Sequence, residues 1–104
     1  LREVLESDVY IANVFSPSEG GINSKIFVQA DDKIDIVKEF VIMDRWGENM
    51  FVAIPDHQPN DPSMGWDGVF NGKLVEQGVY VYYVVVQDLL GSTKKYKGEV
   101  TMIK

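Results

Sequence analysis

One loop holds the best material for chemistry in this chain. His57, the single histidine, sits in Pro55-Asp56-His57-Gln58-Pro59-Asn60-Asp61-Pro62, and Asp67 follows shortly after. A histidine acts as general base only beside a nucleophile it can deprotonate, and no Gly-x-Ser-x-Gly or comparable context is present. His57 is therefore read as a solvated loop residue. Asp56, Asp61 and Asp67 carry the oxygens a hard cation prefers, but their spacing alone does not bring them together. Asp67, next to Gly68, is read as a turn residue that accepts hydrogen bonds from nearby backbone N–H groups. Trp46 and Trp66 offer a different chemistry, since an exposed indole can stack on a sugar ring. Each lies beside a glycine turn, where a large ring commonly packs the end of a sandwich, and packing is expected for both. Tyr80, Tyr82 and Tyr83 read as strand residues, with any exposed subset available as a docking face.

Composition narrows the classes further. At 104 residues the chain is one domain, and a hydrophobic fraction of 45% is ample for a core. It has no cysteine, which excludes disulfides and thiolate metal sites. The net charge of −6 argues against a phosphate-tracking surface, so no nucleic-acid partner is expected. The longest apolar run, from Val79 to Val86, is too short to be a transmembrane segment. No signal peptide is visible, and the chain opens on Leu1; it is expected to be part of a longer protein.

The elements that position these residues are short and β-rich. Strands are predicted near residues 9–15, 25–29, 39–44, 50–54, 79–88 and 96–103. Asn71-Gly72 marks a two-residue hairpin, because both central positions of such a turn need positive φ. Ile34, Val37 and Val41 stand at helical spacing, yet this Val- and Ile-rich stretch is read as extended and leading into a strand. Both faces of the 79–88 strand are apolar, which makes it a central strand, and the segment after Leu90-Gly91-Ser92 returns beside it. The result is an all-β fold: an Ig-like antiparallel β-sandwich of about seven strands over residues 9–104, with 1–8 as a linker from upstream sequence.

Five short motifs then occur in fixed order. Ile11-Ala12-Asn13-Val14-Phe15-Ser16-Pro17-Ser18-Glu19-Gly20-Gly21-Ile22-Asn23-Ser24 comes first. Asp44-Arg45-Trp46-Gly47 is second, and Trp66-Asp67-Gly68 with Asn71-Gly72 third. Gly78-Val79-Tyr80 and Lys97-Gly98-Glu99-Val100-Thr101-Met102-Ile103-Lys104 complete the set. This order resembles the gliding-motility-associated C-terminal domain of Bacteroidetes, the type B sorting domain of the type IX secretion system. The resemblance covers roughly Tyr10 to Lys104. It picks out Asn13, Phe15, Pro17, Gly21, Asn23, Arg45, Trp46, Gly47, Trp66, Asp67, Gly68, Asn71, Gly72, Gly78, Tyr80, Gly98 and Val100 as structural or recognition residues.

The family's opening loop is Asp-rich, but Gly20 and Ser24 stand at two of its Asp positions here, leaving Glu19 and Asn23. Tight Ca²⁺ binding by residues 16–24 is not expected, and neither is any other cofactor. The resemblance implies a secretion signal with no enzymatic activity. Its cargo would pass through the periplasm to the outer cell surface or the medium. The implied partners are an outer-membrane protein of the PorP/SprF type and the type IX translocon, reading a folded surface such as the last hairpin, residues 79–103. The alternative is a passive Ig-like structural or adhesion module; flagellar hook-cap proteins share a similar Trp-Asp-Gly and Gly-Val-Tyr pattern.

Overall fold

A computed structural model of the chain describes residues 9–17 and 24–103. The expected linker 1–8, the motif residues Gly21 and Asn23, and most of the 16–24 loop, for which no cation binding is expected, lie outside them. Nine strand segments are described: β1 (Val9–Tyr10), β2 (Val14–Phe15), β3 (Gln29–Ala30), β4 (Ile34–Met43), β5 (Asn49–Val52), β6 (Val69–Phe70), β7 (Lys73–Leu74), β8 (Gly78–Asp88) and β9 (Thr93–Met102). Five of them form one sheet in the order β2-β9-β8-β4-β5, while β1–β3 and β6–β7 make two small sheets.

The longest strand is central, as its two apolar faces require. On one face, Tyr80, Val84 and Val86 of β8 meet Phe40 and Ile42 of β4 and Val100 and Met102 of β9. Ile26, Val28 and Trp66 belong to the same core and come from the layer above. Each fully buried aliphatic or aromatic side chain contributes about 1.5–3 kcal/mol by leaving water. On the other face, Val81, Tyr83 and Val85 are only half-buried. Their partners across the strand pair are Glu99, Lys97 and Lys95. Long lysine stems can shield such apolar surface while keeping their charge in water.

The helical spacing in β4 has a β explanation. Its register against β8 shifts twice, between Ile34 and Ile36 and between Val37 and Glu39. An extra residue at each irregularity puts successive inward positions three apart instead of two. Ile34, Val37 and Phe40 are accordingly all buried.

One strand pair departs from the antiparallel expectation. β2 runs parallel to β9, with Val14 opposite Thr101 and Phe15 opposite Met102. The predicted strand 9–15 breaks in two: β1 pairs with β3 in a small sheet, and β2 crosses to the edge of the large one. Changing sheets at a corner is how a sandwich closes, and here it brings the first strands beside the last.

Candidate functional site

Four of the motif side chains, those of Phe15, Trp66, Tyr80 and Val100, converge on a single packing hub. Trp66 is 1% exposed, and its ring lies 5.7 Å from Phe15 and 5.4 Å from Tyr80, the latter edge-on. Its indole N–H donates to the Val69 carbonyl at 3.0 Å. Its backbone exchanges two 2.9 Å hydrogen bonds with Ile26. Tyr80 sends its hydroxyl to the Glu76 carbonyl at 2.6 Å. Burial, helped by the negative charges of Glu76 and Asp44, pushes that phenol's pKa up. Val100 is fully buried beside this cluster.

The small motif residues make room for this packing or turn the chain. Gly98 faces Tyr82 across the β8–β9 pair, and a Cβ there would lie 2.5 Å from the tyrosine oxygen. Only glycine allows that ring to settle on the backbone. Gly68 lies against Pro17 in the same way. Asp67 accepts from the Val69 N–H at 3.2 Å, the local turn role expected of it. Asn71 and Gly72 both take positive φ, 54° and 80°, between β6 and β7. Gly78 opens β8, and the exposed Asn13 offers its carbonyl to the Thr101 N–H at 2.8 Å.

Arg45, Trp46 and Gly47 are different. They form the tip of the β4–β5 hairpin, closed by Asp44 N–H donating to the Glu48 carbonyl at 2.9 Å. The Asp44 carboxylate accepts from the Trp46 and Glu48 N–H groups, both at 2.9 Å. Gly47, at φ +89°, supplies the left-handed step that brings the chain back. Trp46 is 82% exposed, which corrects the expectation that it packs a sandwich end. The turn's own hydrogen bonds hold the loop without help from the ring, so the ring points outward. Next to it lies a cleft of about 450 Å³, with Met50, Phe70, Leu74 and Val79 among its apolar walls and Arg45, Lys73 and Glu76 among its charged ones. This volume falls within the usual range of ligand-sized pockets, and the exposed Trp46 is part of its lining.

The loop that seemed best suited to chemistry is used for structure. His57 is buried, correcting its reading as a solvated residue. Its backbone exchanges hydrogen bonds of 2.7 and 3.0 Å with Val37 of β4, and its Nδ1 lies 2.7 Å from the Ile54 carbonyl. The pairing with Val37 spans about twenty residues of sequence, which no local pattern announces. The acids disperse: Asp56 pairs with Lys38 at 3.1 Å. Asp61 caps the 3-10 turn Pro62–Met64, and hydrogen bonds from the Ser63 hydroxyl and N–H hold its pKa low. Among the described residues, no three potential metal ligands are gathered.

The fold itself has a counterpart in a solved structure, that of CopC from Methylosinus trichosporium OB3b. The TM-score is 0.56 at 14% identity, over 91% of this chain and 88% of that one. Agreement at that identity concerns the fold alone. Comparison with curated proteins returns no match. A family model, described as the CHU_C type IX secretion signal domain, matches residues 9–102. That span holds the Trp66 hub, the Trp46 turn and both strands of the closing hairpin, and the chain belongs to the CHU_C type IX secretion signal domain family.

Proposed function

We propose that this domain is a non-enzymatic address, attached C-terminally to a cargo that it sends across the outer membrane by the type IX system. The cargo passes through the periplasm and ends on the cell surface or in the medium of a gliding bacterium of the Bacteroidetes. An outer-membrane protein of the PorP/SprF type receives it and hands it to the translocon. The family match over residues 9–102 carries this reading. Supporting it, most of the described motif side chains are engaged in packing or turn formation, which suits a signal read as a folded surface.

The test is a reporter with an inner-membrane export signal, fused to residues 1–104 and expressed in a competent strain with the native receptor. The intact fusion is expected outside the cell. Deleting residues 98–104 removes Val100 and Met102 from the core and the β9 partner of β2, so that variant is expected to remain periplasmic. An intact fusion retained in the periplasm, while a known cargo leaves, would favour the passive structural module.

A further inference from the structure

We infer that the Trp46 turn and its adjoining cleft form the surface read by the secretion machinery, with a loop of the receptor protein as occupant. The inference rests on the sorting function proposed above and locates it on the molecule. Its first ground is that Trp46 has no folding role of its own. Its ring is largely in water, and the turn that carries it is closed by Asp44, Gly47 and Glu48. Among the described large motif side chains, Phe15, Trp66, Tyr80 and Val100 are interior, whereas Trp46 is not.

The second ground is rigidity. The Asp44 carboxylate binds two backbone N–H groups of the turn, so the indole stands on a pre-formed platform. A partner that docks there orders little new backbone, which lowers the entropic cost of binding. Tryptophan and arginine are the residue types that most often dominate protein–protein binding energy, and Arg45 precedes Trp46 here.

The third ground is shape. Trp46 projects beside a hollow walled by Met50, Phe70, Leu74 and Val79. A receptor loop can cover the indole while placing an aliphatic side chain in that hollow, burying both together. The rim of the hollow carries charge of both signs, Arg45 and Lys73 beside Glu76, which suits the polar backbone and side chains of a protein segment around an apolar anchor. The family match supplies the occupant's class, because a secretion signal is read by a protein of the machinery. The cleft also takes in Val79 and Tyr80, so it touches only the beginning of the last hairpin, away from its tip.

The experiment compares Trp46→Ala with Leu90→Ala in the secreted reporter, because Leu90 is an equally exposed apolar residue at the tip of the last hairpin. Thermal unfolding of each purified domain establishes that it remains folded. Trp46→Ala is expected to lower export by about tenfold or more, the scale of a hot-spot loss, with an unchanged midpoint. Leu90→Ala is expected to export as the parent does. A photo-crosslinking residue at position 46 should capture an outer-membrane protein, and the same residue at position 90 should not. Normal export of Trp46→Ala alongside the parent overturns the inference and leaves the sorting function intact. So does loss of export in Leu90→Ala alone. A Trp46→Ala domain that exports normally but loses retention on a polysaccharide column also overturns it, in favour of a sugar platform. Periplasmic retention of the parent itself sinks the sorting function and this inference together.

Discussion

Two hairpin tips at opposite ends of the large sheet are built the same way. In one, Asp44 N–H donates to the Glu48 carbonyl, Gly47 N–H to the Asp44 carbonyl, and the Asp44 carboxylate accepts from Trp46 and Glu48. In the other, Asp88 N–H donates to Ser92, Gly91 N–H to Asp88, and the Asp88 carboxylate accepts from Leu90 and Ser92. Gly47 and Gly91 have nearly equal φ, +89° and +90°. The eleven residues of β8 separate the two tips by about 30 Å at the usual strand rise. Both tips expose a large apolar side chain at the same position, Trp46 at 82% and Leu90 at 92%. Their surroundings differ. Asp88 is buried, and Leu89 N–H bonds the Lys33 carbonyl at 3.0 Å, tying that tip to the turn before β4. The Trp46 tip belongs to the edge strand β5 and opens onto the cleft. The lesson is that aspartate and glycine supply the backbone of such a turn, leaving the residue between them free to serve something else.

The widest contrast lies between the two tryptophans. Trp66→Ala empties the centre of the core and should cost about 3–5 kcal/mol in urea unfolding. Trp46→Ala should change stability by no more than about 0.5 kcal/mol, as for a surface residue. A large loss at Trp46 would mean that its ring supports the turn after all.

The two aspartates come next. Asp88→Ala removes a buried side chain and strands two part-buried N–H groups, and should cost about 1–3 kcal/mol. Asp44→Ala should cost about 1 kcal/mol, because water reaches the exposed amides of its tip. Equal losses would erase the distinction between a tip built into the body and one left free.

Replacing either glycine tests their likeness instead. A Cβ at Gly47 meets nothing within 4 Å, and one at Gly91 meets only the Gln87 amide nitrogen at 3.9 Å. Gly47→Ala and Gly91→Ala should therefore each cost about 1–2 kcal/mol, through φ alone. Unequal values would show that the two loops are not equivalent. The smallest effect is expected from exchanging Arg45-Trp46 with Leu89-Leu90: a change within about 0.5 kcal/mol in thermal unfolding, because neither turn uses those side chains to close.

Much of the fold was legible where the signal was local. Alternation along 79–88 marked β8 as central, and Asn71-Gly72 marked the β6–β7 turn, because steric rules act on neighbouring residues. The turns at Gly47 and Gly91 were visible for the same reason, though the matching roles of Asp44 and Asp88 in them were not. Trp46 was misread because a tryptophan's area favours burial on average, and sequence does not say on which side of a turn a ring falls. His57 was misread because its partner, Val37, comes from another strand. The parallel pairing of β2 with β9 was invisible, since it joins Val14 to Thr101 and Phe15 to Met102, from nearly opposite ends of the chain, and no local pattern records so distant a contact. For the site, the motif residues could be listed from sequence, but their division into an interior hub and an outward-facing turn could not.

The β2–β9 pairing makes the domain a clasp that cannot shut early. Thr101 N–H reaches back to the Asn13 carbonyl at 2.8 Å and Ile103 N–H to that of Phe15 at 3.0 Å, so entry and exit are joined directly. A ribosome that stalls anywhere within the domain leaves β2 unpaired and the core without Val100 and Met102. A secretion signal domain built in this form is complete only once the segment Thr93–Met102 has been made and paired.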